Sequence, residues 1–467
     1  MIMNLLRGIS VALGMCLIGY TGFGQEKRDT MAAKTDTLKL SITQAQQYAL
    51  ENNRSILNAN LDVESAKKKI WETTSTGLPQ INSTVSASYI LTMPDFYEQF
   101  LTPSIASHFT GVPDSANRVN AAVKKALDDM RFSGTFDIQV SQLIFSGSYL
   151  VGLQAAKVYK SLSELNKVKS IQDVLESVSN TYFTVLIAKE NAVILDSTRL
   201  NLEKTLSEIT QMENQGFVEE TDVDQIKITL TNIKSSLDLI RRQSDISEKL
   251  LKIQLGVDFN QKIVLTDSLS NLIKAMSFDQ LLLSDLVLDN NVSYQMLDAQ
   301  VKSSKLLLKL KKSECLPDIA AFYQHEELLN SNAISFTPPD LIGLKVNIPI
   351  FSSGGRYSRI KQAKFDLQKS INNRDETADM LKLQFYQSKS ALVSAKDKYE
   401  SDKSNLKLSE KIYKRALIKF QNGMMSSMDL TQTQNQFLNS QSTYYQSIQN
   451  LITEKNKLEK MLKRSSY

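Results

Sequence analysis

The spacing of apolar residues changes several times along this chain, and each change marks an element. Ile42, Ala45, Ala49, Leu50, Ile56 and Leu57 recur at helical spacing and predict a helix running to the breaker Gly77-Leu78-Pro79. Beyond it the period falls to two. From Ile81 to Tyr89 apolar or small residues hold the odd positions, and Phe136, Ile138 and Val140 then alternate with Asp137, Gln139 and Ser141. Both segments read as strands with one apolar and one polar face. A turn at Ser146-Gly147-Ser148 opens a Pro-free helix from about Tyr149 to Gln215, a rod of about 100 Å at the usual helical rise. So long a helix must pack along its length. Gly216 is placed to end it, and Thr221-Asp222 restart a helix that returns to Leu255.

The same order of elements then recurs. Leu50-Glu51-Asn52-Asn53 is answered by Leu288-Asp289-Asn290-Asn291, and Leu78-Pro79-Gln80-Ile81 by Leu316-Pro317-Asp318-Ile319, both shifted by 238 positions (50 to 288, 78 to 316). Further on, Leu143-Ile144-Phe145-Ser146 answers Pro349-Ile350-Phe351-Ser352, and Gly216 with Asp222 answers Gly423 with Asp429. The shift there is 206 or 207 (143 to 349, 216 to 423). The second copy has a helix over roughly 278–314 and a faint strand from Ile319 to Gln324. A clear strand follows through Ile342, Leu344, Val346, Ile348 and Ile350, and then a helix from about Tyr357 to Gln421. A return helix runs from Ser426-Ser427 to about Leu462. The chain therefore divides into residues 25–256 and 257–467, two halves of one design. Each holds a long antiparallel hairpin of coiled-coil character, with Ser, Thr and Gln thinning its apolar seam.

Two segments stand outside the repeat. Residues 92–131 are extra in the first copy and read as a loop carrying Pro94, Pro103 and Pro113, then a short amphipathic helix near Ala116 to Met130. As a connection between two strands, this insertion belongs at the end far from the long helices. Residues 257–277 link the copies, and Ile263-Val264-Leu265 is a candidate strand for pairing with Leu38 to Ile42.

Composition narrows the function. The net charge is +5 and spread along the chain, which gives no support for nucleic-acid binding. Residues 1–24 read as a signal peptide, with Arg7, an apolar run from Ile9 to Tyr20 and a small-residue cleavage site at Gly22-Phe23-Gly24. Cys16 follows Met15, where lipid attachment requires a small residue. Cys315 then stands alone and is expected to be a buried small apolar residue. After residue 24 no apolar run reaches the ~20 residues of a membrane helix. His108 and His325 have no ligand-spaced companions, and Glu326-Glu327 beside His325 reads as a solvated loop cluster. No phosphate loop or nucleophile motif is present, so no catalytic residue, cofactor or metal is expected.

Aromatics gather at the strand ends: Tyr89, Phe96, Tyr97, Phe132, Phe136, Phe145, Phe322, Tyr323, Phe336 and Phe351. One reading is a soluble four-stranded sheet packed on helices. The other is part of a membrane barrel with aromatic girdles. Four strands cannot close a barrel, and an open edge in lipid leaves backbone groups unpaired at several kcal/mol each. Closure then demands oligomerisation, and three chains would supply twelve strands.

The pattern resembles the TolC-like outer-membrane efflux protein family. The resemblance is carried by Leu40-Ser41-Ile42, Ala45, Ala49-Leu50 and Asn52-Asn53, and by the strand-to-helix junctions from Val140 to Gly147 and from Val346 to Gly355. The tip turns ending in Asp222 and Asp429 share it. It implies a mostly α-helical homotrimer, with a twelve-stranded β-barrel in the outer membrane above a periplasmic barrel of helices. It further implies an exit duct for an inner-membrane transporter, joined to it by a periplasmic adaptor protein. In the family an inner helix narrows the entrance with acidic residues after the second tip turn. Asp429 matches the first of these and Gln432 replaces the second. Phe420 stands where the family has a hydroxyl-bearing aromatic, and Met425 where it has Arg, which leaves Met424, Met425 and Met428 for an apolar latch. Asp222 and Asp429 also fit a plainer role as acids in a first helical turn. Gln215, Gly216, Asn422 and Gly423, at the tips, are the expected adaptor contacts. The competing class is a periplasmic coiled-coil adaptor or scaffold, which shares the long hairpin but normally carries one hairpin between β-rich domains.

Overall fold

The computed structural model describes residues 37–329 and 338–463. The signal segment 1–24, Cys16 and Phe336 lie outside these residues. Strand β1 (Leu38–Leu40) leads through Ser41 into helix α1 (Ile42–Asn52), where Ser41 and Gln44 form a reciprocal capping box. The single opening helix expected from periodicity is in fact two. Asn53 leaves the helical conformation (φ −67°, ψ 127°), and its side-chain oxygen accepts from the N–H groups of Ser55 and Ile56, starting α2 (Arg54–Ser75) afresh. A capping asparagine competes with the backbone, so the apolar spacing runs on while the helix restarts.

Strand β2 (Gln80–Tyr89) follows, then α3 (Asp95–Ala106), α4 (Ser115–Arg131) and β3 (Phe132–Phe145). The expected loop of prolines is therefore largely helix: Pro94 is the N-cap of α3, and Pro103 sits near its end, where losing one backbone donor is tolerable. Then come α5 (Gly147–Asn214) and α6 (Glu220–Leu255), strand β4 (Ile263–Leu265), and the short helices α7 (Leu269–Ala275) and α8 (Phe278–Leu283). Helix α9 (Val292–Ser313), strands β5 (Asp318–Leu328) and β6 (Asp340–Asn347), α10 (Gly355–Gln421) and α11 (Ser427–Leu462) complete the chain.

The elements of the two halves correspond in length and in single bonds. Helices α2 and α9 both have 22 residues, α6 and α11 both have 36, and α5 and α10 have 68 and 67. Asn291 caps α9 just as Asn53 caps α2, but the helix expected over 278–314 is interrupted more widely, from Ser284 to Asn291, before it restarts there. Asn53 Nδ2 donates to the Gln254 carbonyl at 2.6 Å, and Asn291 Nδ2 to the Met461 carbonyl at 3.4 Å, the equivalent place on the other return helix.

At the waist β1 pairs in parallel with β4, with Leu38 opposite Ile263. The Tyr182 hydroxyl, fully buried on α5, donates to the Leu40 carbonyl at 3.0 Å and to Asp267 at 2.9 Å; Asp267 also accepts from Ile42 N–H. Burial first, and then the Asp267 carboxylate, push the Tyr182 phenol far above its ordinary range. Beyond the waist the long helices pack in rows at multiples of seven residues: Leu195, Leu202 and Ile209 on α5, and Leu392, Tyr399, Tyr413 and Phe420, with partly buried Leu406 between, on α10. Seven-residue spacing keeps each row facing its partners by coiling the helices around one another. Ala395, Asp402, Ser409 and Ala416 form the companion row of α10, so the seam is thin and part polar, as the sequence implies.

The remaining strands form one antiparallel sheet in the order β2-β3-β5-β6. Its centre joins the two repeats, with Val140 opposite Tyr323 and Gln139 opposite Gln324, and a register shift falls between Leu143 and Phe145 beside the start of α5. Pairing puts Ile81, Val85 and Tyr89 beside Val140, Phe136 and Phe132 on one face, continued by Tyr323 and Ile342. The opposite face carries Asn82, Thr84 and Ser86 beside Gln139, Asp137 and Thr135, and Gln324 donates to Asp137 at 2.6 Å. All ten residues of β2 are exposed, as are Ile342 (82%) and Leu344 (71%) on the other edge strand. The sheet is therefore not packed on helices in the manner of a soluble sandwich.

Candidate functional site

Both hairpins turn at the same kind of tip. α5 ends where Gly216 takes φ 76°, with Phe217 N–H bonded to the Met212 carbonyl and Gly216 N–H to that of Glu213. α10 ends likewise at Gly423, φ 70°, with Met424 bonded to Lys419 and Gly423 to Phe420. These paired bonds close a helix around a left-handed residue, which glycine adopts without a Cβ clash. Gln215 and Asn422 are the last residues before the turns, and Asn422 is exposed with its amide on the Ile418 carbonyl. Phe217, Met424 and Met428 are exposed beside them.

Behind the turns the four helices share one core. Leu202 and Ile209 from α5, Val223, Ile226, Leu230 and Ile233 from α6, Tyr413, Ala416 and Phe420 from α10, and Leu430 and Phe437 from α11 are buried together. Tyr413 and Phe437 stack with centroids 5.5 Å apart. Phe420 thus lies inside the tip, with Met425 partly buried against the same cluster.

Polar groups link the two hairpins. Asp222, half-buried at the third position of α6, accepts a short hydrogen bond from the hydroxyl of Ser427, the first residue of α11. Gln421 donates to Glu208 at 3.1 Å. Asp429 is exposed, and it closes its own helix end: its N–H donates to Ser426 Oγ, which donates back to its carboxylate at 2.8 Å. Gln432 lies one turn on, exposed in a polar groove of about 480 Å³ with Asp402, Asn405, Asn435, Gln436 and Asn439. The structure thus joins Asp222 to Ser427, a pairing that no sequence spacing signals, and separates Asp429 from Phe420 by burial.

Several buried polar atoms near this level have no partner among the described residues: both amide atoms of Gln434, Thr431 Oγ1 and the Tyr413 hydroxyl. Gln434 is fully buried, so its amide costs the fold the desolvation of a donor and an acceptor. Burial alone pushes the Tyr413 phenol up to about 12. The tip core is packed but is not polar-satisfied.

Two expectations elsewhere require correction. Cys315 is exposed. It sits in the tight turn between α9 and β5, its N–H bonded to the Lys312 carbonyl, and such a turn faces outward. His325 and Glu326-Glu327 lie within β5 and not in a loop, opposite Ile138, Asp137 and Phe136 of β3, and the His325 ring contacts Asp340 at 2.8 Å. Among the described residues no group of three or more His, Cys, Asp or Glu side chains is arranged to hold a metal ion, and no helix is long and apolar enough to cross a membrane.

Comparison with known proteins adds to this geometry. Residues 283–463 match the family model described as Outer membrane efflux protein. No curated protein sequence matches the chain. Among solved structures, the CmeC outer membrane channel of Campylobacter jejuni superposes with a TM-score of 0.69 at 17% identity, covering 91% of this chain and 87% of that one. CusC, described for its folding and transmembrane channel formation, gives 0.70 at 15% identity over 92% and 94% of the two chains. The open state of the Neisseria gonorrhoeae MtrE outer membrane channel gives 0.67 at 13%, over 90% and 88%.

Proposed function

With the outer membrane efflux protein family matched over residues 283–463 and the fold of outer membrane channels taken by nearly the whole chain, we infer that this protein is an outer-membrane exit duct for efflux or secretion. The observation that carries this is the four-stranded sheet with two open edges and one exposed apolar face. In lipid those edges must be paired by neighbouring copies. Three copies give twelve strands, with the apolar face toward lipid, the polar face lining a channel and the long helices extending it into the periplasm. Residues 25–256 and 257–467 are the two repeats of each protomer, and residues 1–24 the export signal.

The tips are the entrance. Met424, Met428 and Phe217 offer an exposed apolar end, and with Gln215, Gly216, Asn422 and Gly423 they form the surface for a periplasmic adaptor, which connects the duct to an inner-membrane transporter. Asp222 and Ser427 form the latch between hairpins, in place of the family's aromatic hydroxyl and Arg. Asp429 and Gln432 face the passage. Three Asp429 carboxylates around a narrow mouth favour cations.

Membrane fractionation, gels run without boiling and planar-bilayer recording test the assignment together. The expected result is an outer-membrane, heat-resistant oligomer that conducts. A monomeric, water-soluble product without conductance overturns it.

A further inference from the structure

The insertion between β2 and β3 is not accounted for by the duct. Its first helix, α3, has three faces. Tyr97, Leu101 and Ile105 turn inward, with Leu101 buried, and α4 answers with buried Val119 and Val123. Asp95 and Glu98 make a polar edge in the first turn. The third face is apolar and uncovered: Phe96 (67% exposed) and Phe100 (59%) stack with ring centroids 6.1 Å apart, and Pro103 continues the stripe. A helix this short does not normally leave two stacked phenylalanines in water.

The chain leading into this stripe indicates what covers it. Val85 and Tyr89 belong to the exposed apolar face of β2, and Leu91, 83% exposed, stands between Tyr89 and Phe96. The ladder runs to the very end of the strand, where Ile90 N–H donates to the Arg131 carbonyl. In sequence the apolar stripe of α3 thus follows the strand's apolar row after a gap of only a few residues, at the end of the sheet opposite the long helices.

We propose that α3 and α4 form a collar seated on the lipid at the far end of the barrel, with Phe96, Phe100 and Leu91 inserted at the headgroup–acyl boundary. An amphipathic helix binds this way through its buried apolar area, and aromatic side chains favour that depth. This seating rests on the barrel reading above, and the test separates the two.

Trp71 is the one tryptophan of the chain. In a Trp71→Phe background, single variants Phe96→Trp, Phe100→Trp, Glu98→Trp and Val85→Trp are reconstituted as oligomers into vesicles of phosphatidylcholine brominated at shallow or deep chain positions. All four sites are exposed, so the substitutions leave the packed interface of α3 with α4 intact. The expected result is loss of emission at Val85, Phe96 and Phe100 but not at Glu98, with the shallow bromines quenching the two helix positions more than the deep ones. Quenching at Val85 with none at Phe96 or Phe100 overturns the collar and leaves the barrel standing. No quenching at any position overturns both.

Discussion

At Asp222 the side chain faces a choice between two roles, first-turn acid and partner of another helix, and the structure gives it both. Its bond from Ser427 ties α6 to α11 at the tips, where under the proposed function the two hairpins part for the entrance to widen. Removing it with Asp222→Ala or Ser427→Ala should cost about 1.5 kcal/mol, the low end for a bond to a charged group because Asp222 is half-exposed. Single-channel recordings should show more frequent or larger openings for either variant, and the double variant should add little. Independent effects would mean that the two residues do not act as a pair. Asp429 behaves differently, since its carboxylate is exposed and bonded only within its own helix end. Asp429→Asn keeps the size and removes the charge. Reversal potentials should then shift toward lower cation preference, and an unchanged potential assigns Asp429 to capping alone.

The capping asparagines offer a test on the folded state. Asn53→Ala removes the start of α2 and the 2.6 Å bond to Gln254, so its cost is about 1–2 kcal/mol. Asn291→Ala removes the same cap but a weaker 3.4 Å bond, and its melting temperature should fall less. The sequence displays both asparagines as repeat punctuation. Their effect of dividing a helix is hidden because the apolar spacing on either side stays in phase.

Among elements, legibility follows the cleanness of the period. Strands β2 and β3 form where the pattern places them, while β6 stops at Asn347, short of the expected Ile348 and Ile350, because Pro349 has no N–H to donate to a ladder. β5 reads faintly because His325, Glu326 and Glu327 blur its second half, yet pairing with β6 reaches His325 and pairing with β3 carries it on to Leu328. Tertiary pairing there overrides local composition. α3 is illegible for the opposite reason: its prolines signal a loop, while packing against α4 makes it a helix. At the tips, the turns follow from glycine, but the Asp222–Ser427 contact joins residues of different repeats and needs the fold. The two faces of the sheet give a sharp prediction at this scale. Leu344→Arg on the apolar face should destabilise insertion by about 2–4 kcal/mol if it lies near the bilayer centre, and heat-resistant oligomer should be lost from unboiled gels. Gln139→Arg, on the polar face, should leave the oligomer intact and alter conductance.

For the whole molecule, the centre of the sheet is a contact between repeats, and so, in the proposed ring, is the contact between chains. β2 belongs to the first repeat and β6 to the second, so closing the ring repeats between protomers the kind of pairing already made within one. Such an interface is head-to-tail and stops growing only when rotation returns to the start. Cysteines placed along β2 at Asn82, Thr84 or Ser86, combined with one at Lys345 on β6 in a Cys315→Ser background, should yield dimers and trimers on oxidation. A product that remains monomeric for every pair would rule out that seam.

The uncovered strands carry a cost before any ring exists. Under the proposed function, a solitary copy crossing the periplasm presents two backbone ladders ready to accept any passing strand, with a greasy surface between them. Such a molecule is adhesive, and its maturation is a race between finding two sisters and clumping with strangers. Ring formation should therefore depend on supply more steeply than the first power, and overproduction should shift the losers of that race into insoluble material.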